Sequence, residues 1–384
     1  MFEFDETLDK LIIYIESQDY KGYDPYDTLN SYLPFHWFGK YAQALAIQFQ
    51  KRNPINIRSL LGIKKEYNPK GMGLMLQGFS LLYQKTNNPE YKKKMDFLFY
   101  WLKTNYSTGY SGHCWGYNFN WVNLQKSLKA FHPNIVVTSF VCKGIFEYYK
   151  ATGNGEAKEI LISATDFILK DIPITENDYG ICFSYSDMLQ DCCFNASILG
   201  TEILAKVYSI TSDRKLIDTI KKSIDFILHY QKSDGRWDYA INIHNLRIDN
   251  QTDFHQGFIL ESLNEINKYF LIDNLNLSIE KGLQFYFKNQ FFENGQSKWR
   301  LPKIYPVDIH GQAQGVITFS KLQEFNAVYP EFAKKITRYT IQKMMQSNGS
   351  FIYQKGRLFK NRISYIRWSQ AWMLLALATL IYKE

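Results

Sequence analysis

Apolar residues recur at helical spacing along most of the chain, and they mark pairs of helices joined by short polar turns. The segment 148–169, YYKATGNGEAKEILISATDFIL, aligns without gaps with 207–228, VYSITSDRKLIDTIKKSIDFIL. Weaker copies of the same order stand at 82–102 and 269–287. Each copy contains the end of one helix, a polar turn and a second helix. The pattern therefore predicts a repeated helical hairpin of about sixty residues.

A glycine followed by an aromatic residue comes after each hairpin copy. The motifs are SGHCW (111–115), YGICF (179–183), DGRW (234–237), NGQSKW (294–299) and NGSF (348–351). Glycine permits the positive φ of a tight turn, and the aromatic ring can cover the end of a helix barrel. A further helix is predicted to begin after each motif, near residues 133, 191, 253, 308 and 364.

About six such hairpins account for the 384 residues. A helical hairpin cannot bury its apolar face alone, so its neighbours must stack against it. The segments 134–146 and 192–204 are apolar on most sides, as inward-facing helices would be, and the last helix, 368–382, is also strongly apolar. An open array would leave that helix uncovered, so closure against the first helices is expected. The sequence predicts an all-α (α/α)6 toroid in a single domain, 1–384, with short β-hairpin-like loops at one rim. Residues 1–35 are predicted to form an N-terminal helix and a segment that crosses the mouth.

Composition and charge narrow the possible partners. The net charge of +8 is modest and scattered, which argues against nucleic acid and is compatible with an anionic saccharide. The five cysteines are odd in number and lack C-x-x-C spacing, so a reducing compartment is expected. The N-terminus is acidic and amphipathic, unlike a signal peptide, and the apolar stretch 371–382 is too short to span a bilayer. A cytoplasmic protein without a membrane span is predicted, and the oligomeric state is left open.

The run FILHYQKSDGRW (226–237) resembles the Q-x-x-x-G-x-W element of the six-hairpin toroid superfamily. The segments GYDPYDTLNS (22–31), TDFHQGFILESL (252–263) and YPVDIHGQAQG (305–315) are similar to those of bacterial and archaeal toroids associated with polysaccharide-biosynthesis genes. The resemblance covers nearly the whole chain. It implies a carbohydrate context, while the reaction stays open because fold does not imply function.

Polar residues at the predicted starts of the inner helices are the candidates for catalysis, because these starts meet at one rim of a toroid. The motif Asp-x-His occurs twice, and Asp191 stands at another start. An Asp at a helix start is often only an N-cap, and a His one turn into a helix is often only packing. The candidate catalytic residues are Asp253, His255, Asp308, His310 and Asp191.

Other polar and aromatic residues near the rim are candidates for substrate binding. They lie in the turn-rich segment 22–31, in the aromatic loop 107–121, in later loops of the same type, and at the helix starts. Rings of this kind suit sugar stacking, although hydrogen-bonded turns and a lid over the barrel end are alternatives. The candidates are Asp24, Tyr26, Asp27, His113, Trp115, Tyr117, Asn195, Trp237, Tyr239, Gln312, Arg367, Trp368 and Gln370.

Three functions are compatible with these residues. Glycoside hydrolysis by paired carboxylates, with Asp253 and Asp308 as the pair, is the first prediction, because it needs one acid and one nucleophile or base. A uronate lyase or C5-epimerase would use a His or Tyr base with an Arg that neutralises the enolate. A non-catalytic glycan-binding or scaffold protein of polysaccharide assembly is the third. No H-x-x-x-H or comparable spacing is present, so neither a metal nor another cofactor is predicted.

Overall fold

A computed structural model describes residues 2–123, 127–242, 245 and 247–384. Within these residues the chain forms thirteen α-helices. They are α1 (Asp5–Ser17), α2 (Gly39–Arg52), α3 (Pro69–Thr86), α4 (Pro89–Thr104), α5 (Ile135–Thr152), α6 (Gly155–Asp166), α7 (Phe194–Thr211), α8 (Leu216–His229), α9 (His255–Asn267), α10 (Leu275–Phe285), α11 (Ile309–Lys321), α12 (Tyr329–Met344) and α13 (Ala371–Lys383). Short 3-10 turns occur at Asp27–Asn30, Phe35–Phe38 and Gln323–Phe325, and π turns at Phe167–Asp171, Tyr286–Gln290 and Ile366–Gln370.

Six of these helices form a closed inner ring. Helix α3 packs against α5, and the contacts continue through α7, α9, α11 and α13 back to α3. Each inner helix has an outer partner: α4, α6, α8, α10 and α12 cover the first five, and α1 packs against α13. The prediction of an (α/α)6 toroid that closes its last helix against the first is confirmed. The four inner helices from α5 to α11 and the π turn before α13 begin within three residues of the predicted starts.

Short antiparallel strands lie in the loops that precede the inner helices. They are β1 (Trp121–Val122), β2 (Ser127–Leu128), β3 (Ile174–Asn177), β4 (Gly180–Phe183), β5 (Cys192–Cys193), β6 (Ala240–Ile241), β7 (Ile248–Asp249), β8 (Val307–Asp308), β9 (Gln354–Lys355) and β10 (Lys360–Asn361). β1 pairs with β2, and β3 with β4; β6 lies between β5 and β7, and β9 between β8 and β10. Strand β8 runs directly into α11, so the sheet holds the start of that helix.

The glycine–aromatic motifs are structural devices that join neighbouring hairpins. Gly235 has a φ of +95°, as the predicted turn requires, and its α-carbon packs against the backbone of α10 so closely that a side chain would not fit. Trp237, two residues later, is fully buried, and its indole N–H donates to the carbonyl of Ile227 at 2.8 Å. The ring therefore fills the space between α8 and the inner ring.

A polar side chain on the next inner helix fixes the backbone of each aromatic motif. The side-chain oxygen of Gln256 accepts from the backbone N–H of Trp237 at 2.9 Å, and its amide N–H donates to the carbonyl of Trp237 at 2.8 Å. The same relationship recurs in the other hairpins. The matching pairs are Thr138 with Trp115, Ser197 with Phe183, Gln312 with Ser297, and Gln370 with Phe351.

The core contains a network of buried charges as well as apolar side chains. Lys143 on α5 pairs with Glu202 on α7 at 2.7 Å, and both side chains are almost fully buried. Ser262 donates to Glu202 at 2.8 Å, while Lys206 contacts Glu265 at 2.6 Å. The network links the three neighbouring inner helices α5, α7 and α9.

Candidate functional site

A cavity of about 1050 Å³ opens at the rim where the inner helices begin. All six inner elements contribute a residue from their first turn or the turn before it. These residues are Lys70, Val136, Asn195, His255, His310 and Arg367. Because the N-terminal end of a helix carries partial positive charge, six ends around one space favour a negatively charged occupant. The predicted convergence of helix starts is therefore what the structure shows, and we refer to this space as the central cavity.

The walls of the central cavity are rich in aromatic rings. Four of these rings belong to predicted substrate-binding residues, and the others belong to residues that were not among the candidates. The predicted rings are Tyr26, Tyr117, Tyr239 and Trp368, and the others include Phe119, Trp121, Tyr185, Trp299, Tyr305 and Tyr353. Flat rings with polar edges suit the alternating apolar and hydroxyl faces of a sugar. The volume exceeds that of a typical small-molecule pocket and accommodates more than one sugar unit.

His255 and Asp253 form a hydrogen-bonded pair at the start of α9. Nδ1 of His255 lies 2.6 Å from Oδ1 of Asp253, and the backbone N–H of His255 donates to the same oxygen at 3.1 Å. Asp253 also accepts from the amide of Gln251 at 2.6 Å and lies 3.7 Å from the guanidinium of Arg300. Burial acts to raise the pKa of Asp253, but the charge and hydrogen bonds of His255 outweigh burial and lower it. Asp253 is thus an ionised, buried partner of His255.

His255 is the member of this pair that reaches the central cavity. Its side chain is 20% exposed and lines the cavity, whereas Asp253 does not. The side-chain hydrogen bond of His255 to Asp253 is made through Nδ1 and leaves Nε2 on the other side of the ring. Since an ionised carboxylate only accepts hydrogen bonds, the neutral form of His255 carries its proton on Nδ1. The lone pair on Nε2 then faces the cavity.

His310 lies beside the first histidine at the floor of the cavity. Phe254 stacks on both imidazoles, with centroid distances of 4.3 Å to His255 and 4.2 Å to His310, and Trp372 packs on His310 at 4.2 Å. Neither ring nitrogen of His310 has a hydrogen-bond partner among the described residues. Burial, together with the nearby charges of Lys70, His255 and Arg367, holds its pKa well below the usual value. His310 is therefore a neutral imidazole.

Asp308 occupies the equivalent position before α11 but serves the local structure. It caps the helix by accepting from the backbone N–H of His310 at 2.9 Å. Its other contacts are the indole N–H of Trp368 at 2.8 Å and the amide of Gln354 at 2.7 Å. Burial raises its pKa, although these hydrogen bonds act against the rise. Asp308 does not line the cavity, and its capping role is the alternative that the sequence had left open.

Arg367 is held at the cavity wall by a carboxylate from the other end of the chain. Asp24 accepts from Nε and one terminal nitrogen of Arg367 at 2.5 and 2.8 Å, and both side chains are almost fully buried. Burial acts to lower the pKa of Arg367, but Asp24 outweighs it and the pKa is raised. The guanidinium lies over Tyr117, 4.9 Å from its centroid. Asp24 is therefore a positioning residue outside the cavity lining. Arg367 and Tyr117 themselves line the cavity.

Asp27 supports this arrangement from outside the cavity. It accepts from Nε of the fully buried Arg58 at 2.7 Å, and Arg58 also donates to the carbonyl of Asp24 at 3.0 Å. Burial raises the pKa of Asp27 to about 6 despite the Arg58 charge. Asp27 does not line the cavity, so its contribution is to hold the 22–30 segment in place.

Lys70 is a cavity residue that the sequence prediction missed. It is buried at the start of α3, its ammonium lies 4.1 Å from the ring centroid of Phe140, and no ion pair to it is found in the described residues. Burial and the charges of Arg367 and Lys143 hold its pKa well below the usual value. The signal was available, because NPK at 68–70 is the start of the first inner helix. Lys70 stands at the start of α3 as the predicted residues stand at the starts of the other inner helices.

Several predicted substrate-binding residues lie outside the cavity lining. Trp115 and Trp237 are fully buried between helices, with their indole N–H groups bonded to backbone carbonyls. Gln312 and Gln370 are also buried, since they fix the aromatic motifs described above. His113 contacts Ser163 at 2.9 Å and packs on Tyr106. These residues pack between hairpins. Such packing uses residues near the helix ends, and so does a binding site, which is why the sequence did not distinguish the two.

The remaining predicted residues divide between the wall and its support. Asn195 and Tyr239 line the cavity. Asp191 does not, and it accepts from the backbone N–H of Tyr185 at 2.8 Å, which fixes a ring that does. In the described part of the chain, no group of three or more His, Cys, Asp or Glu side chains is arranged to hold a metal ion. No helix of that part combines the length and apolar character needed to cross a membrane.

No protein-family model matches the sequence, and no curated protein matches it. Several solved structures are similar in fold. A cellobiose 2-epimerase from Bacillus thermoamylovorans matches 83% of this chain and 90% of its own, with a TM-score of 0.62 and 15% identity. The GH76 alpha-mannanase of Bacteroides thetaiotaomicron matches 81% and 85%, with a TM-score of 0.62 and 16% identity. A D-mannose isomerase matches 82% and 86%, with a TM-score of 0.62 and 14% identity.

These likenesses establish the architecture. All three neighbours are (α/α)6 toroids, so the toroid fold inferred from the sequence repeats is confirmed. At identities of 14–16% they show the fold of this chain and leave its reaction open. The association with polysaccharide-biosynthesis genes stays a prediction.

Proposed function

We propose that the protein is a sugar epimerase or isomerase that moves a proton at a carbon atom next to a carbonyl group. The observation that carries this proposal is the Asp253–His255 pair, whose Nε2 opens into the central cavity. A histidine oriented by a buried carboxylate is a common general base, because the carboxylate fixes the tautomer and stabilises the imidazolium. Two of the similar structures are a cellobiose 2-epimerase and a D-mannose isomerase, which supports a reaction of this class.

In the proposed reaction His255 Nε2 takes the proton from the carbon. The electron pair of the broken C–H bond forms a carbon–carbon double bond, and the carbonyl electrons move to oxygen. A proton returned to the opposite face of the same carbon gives the epimer. If the proton of the adjacent hydroxyl group moves to the enediolate oxygen, a proton returned to the former carbonyl carbon gives the isomer. His310 is the candidate for the proton transfer on the opposite face, because it lies across Phe254 from His255 and its ring nitrogens are unpartnered. As a neutral imidazole it takes the proton of the opposite epimer, and it returns a proton to carbon only after it has itself been protonated.

Cationic groups of the cavity would stabilise the negative charge that forms on oxygen. Arg367 and Lys70 are both placed at the inner helix starts, and the six helix ends add to their effect. Arg367 is already bound by Asp24, so it supplies an oriented N–H group more than a free charge. Lys70 has no carboxylate partner in the described residues, and a developing oxyanion would provide one.

The charge of the cavity wall favours a saccharide that carries an anionic group. Six Lys and Arg residues line the cavity, whereas Asp249 is the one acidic residue in its described lining. The cationic residues are Lys51, Arg52, Lys70, Arg300, Lys303 and Arg367. A uronate or another acidic sugar would therefore be bound more strongly than its neutral counterpart. This agrees with the C5-epimerase alternative considered from the sequence.

Hydrolysis by Asp253 and Asp308 has less support from the geometry. Glycoside hydrolysis needs two carboxyl groups on either side of the scissile bond. Both candidates are buried, each is already engaged by three or more hydrogen-bond or ionic contacts, and neither lines the cavity. Asp249 alone in the described lining does not supply a pair.

Mass spectrometry and NMR of saccharides incubated with the protein in heavy water test the proposal. A panel of neutral and uronate-containing oligosaccharides is used, and the expected result is deuterium at carbon without cleavage. The His255→Asn variant is expected to lose this exchange by about 10²–10⁴-fold. His229→Asn, an exposed histidine on the outer helix α8, is the matched control and keeps the exchange.

Other outcomes would overturn the proposal. Products that gain one water would establish a hydrolase, and unsaturated fragments would establish a lyase. Exchange that survives in His255→Asn would remove His255 from the reaction. Binding of saccharides without exchange or cleavage in any member of the panel would identify the protein as a glycan-binding toroid.

A further inference from the structure

Helix α2 presents different residues to the cavity and to solvent. Ile47 and Lys51 line the central cavity. On the opposite face Tyr41, Leu45 and Phe49 follow each other at intervals of four residues, and they are 75%, 70% and 70% exposed. Residues at this spacing form one stripe along a helix. The helix therefore lies beside the cavity entrance with an apolar stripe that no described part of the chain covers.

The segments next to α2 enlarge this exposed apolar surface. Five further large apolar side chains within residues 32–60 are strongly exposed, and they include two aliphatic and three aromatic residues. They are Tyr32, Trp37, Phe38, Ile55 and Leu60. Monomeric proteins usually expose large apolar residues singly, and a concentration of them marks an interaction site. We refer to these eight side chains together as the α2 surface.

The charge of this part of the chain is strongly one-sided. Residues 28–65 contain six basic residues and no Asp or Glu, so they carry +6 of the net +8 of the whole chain. The basic residues are Lys40, Lys51, Arg52, Arg58, Lys64 and Lys65. Arg58 is buried, but Arg52, Lys64 and Lys65 are exposed. A segment that exposes apolar side chains and cations and contains no acidic residue complements a negatively charged, partly apolar surface.

We propose that the α2 surface docks on a phospholipid bilayer that contains anionic lipid, with α2 lying in the plane of the interface. Helices that bind in this way carry Trp, Phe and Leu on one face and Lys or Arg beside it, and the apolar face enters the boundary between headgroups and acyl chains. Trp and Tyr also favour this depth, because one part of each ring is apolar and the other is polar. Anionic headgroups supply the charge that the segment itself lacks.

The composition favours a bilayer over a second copy of this chain. A two-fold dimer through the α2 surface would place the same patch on both sides of the interface. Cations would then face cations, with no acidic residue in the segment to pair with them. It also favours a bilayer over a glycan, because Leu45, Ile55 and Leu60 offer no flat ring on which a sugar can stack, whereas acyl chains accept aliphatic and aromatic side chains alike.

Docking would place the entrance of the central cavity beside the membrane. Helix α2 lines the cavity with one face and would contact lipid with the other, so a saccharide carried by a membrane lipid would meet the cavity directly. The docking itself is independent of the proposed proton transfer, since it uses none of the residues at the helix starts.

Co-sedimentation with phospholipid vesicles tests the proposal. The full chain is mixed with vesicles of phosphatidylcholine alone, or of phosphatidylcholine with phosphatidylglycerol. We expect binding to the second kind that weakens as the salt concentration rises. The double variant Leu45→Ser/Phe49→Ser is expected to bind at least about tenfold more weakly, because two large apolar side chains no longer enter the interface.

The matched control is Leu271→Ser/Leu358→Ser, which changes two apolar residues that are 100% and 95% exposed elsewhere. It is expected to bind as the unchanged protein does. Circular dichroism melting curves establish that both variants fold. The proposal is overturned if neither kind of vesicle binds, or if the α2 variant binds as well as the control. It is also overturned if light scattering shows a dimer that the α2 variant does not form, or if polygalacturonate binds through the same residues while vesicles do not bind.

Discussion

His310 stacks on Phe254 with 4.2 Å between the ring centroids, and neither of its ring nitrogens has a hydrogen-bond partner among the described residues. Such an imidazole is expensive to protonate, because its charge would be buried next to Lys70 and Arg367. The same burial that keeps this imidazole neutral, as a proton acceptor must be, also makes the fold sensitive to acid.

The pKa of His310 is held well below its usual value of 6.5, so stability should depend on pH. Below about pH 6.5 the unfolded chain binds a proton at this position while the folded protein does not. The free energy of unfolding therefore falls as the pH decreases, by up to about 1.4 kcal/mol per pH unit from this group. Urea denaturation between pH 5 and 7 measures the slope. His310→Phe should flatten it, and an unchanged slope in that variant would contradict the assignment.

Replacing Lys70 should separate stability from function. Lys70 is buried, its pKa is lowered by burial and by nearby cations, and no described carboxylate pairs with it. Lys70→Met removes this buried amine and is expected to raise the free energy of unfolding by about 1–3 kcal/mol. The variant should also lose conversion of an anionic saccharide. Denaturation and heavy-water exchange measure the two effects, and a destabilised variant would show that an anion already partners Lys70.

Glu202 is expected to be essential for the buried charge network. The Glu202→Gln change leaves Lys143 without a carboxylate partner in a buried position. Breaking one side of a buried pair costs about 3–5 kcal/mol. Glu176→Gln removes one of the two carboxylate partners of the exposed Lys222, and it should cost about 1 kcal/mol or less. If Glu202→Gln lowers the free energy of unfolding by no more than Glu176→Gln does, the buried network contributes no more to stability than an exposed ion pair.

Gln312 and Trp299 should behave in opposite ways. Gln312 is fully buried and bonds the backbone of Ser297 and Gly295, so Gln312→Met is expected to cost about 1–3 kcal/mol of unfolding free energy and to leave KM unchanged. Trp299 lines the cavity, so Trp299→Ala is expected to raise KM with a smaller effect on stability. Melting curves and saccharide kinetics on the same preparations distinguish the roles. A raised KM in Gln312→Met would instead support the prediction from the sequence that Gln312 contacts the substrate.

The fold was predictable because its signal is periodic. The alignment of 148–169 with 207–228 repeats a helical hairpin, and one apolar stripe per helix determines which faces must pack. The last helix, α13, could be placed against the first ones for the same reason, since its apolar surface needed a partner. Lengths and faces of helices follow from local pattern, so the ring followed as well.

The site was predictable only in position. Residues at the helix starts do converge. Which of their side chains enter the cavity is decided by a shift of one or two positions along the helix, because each position points in a different direction. Asp253 and His255 differ by two positions, and only His255 faces the cavity. Gln312 and Gln370 stand at the same rim and point outward to the aromatic motifs. Packing between hairpins and substrate binding both use polar residues at helix ends, and sequence alone does not separate them.

The clasp between Asp24 and Arg367 joins residues that are 343 positions apart. During translation Asp24 leaves the ribosome long before its partner, which directly precedes α13. Until then α3 lacks its neighbour α13, and α1 lacks the surface it covers. The nascent chain must therefore carry a gap in its inner ring until α13 has been synthesised. Its cavity acquires a complete wall only as α13 is released, and the burden on cellular chaperones should be greatest just before that moment.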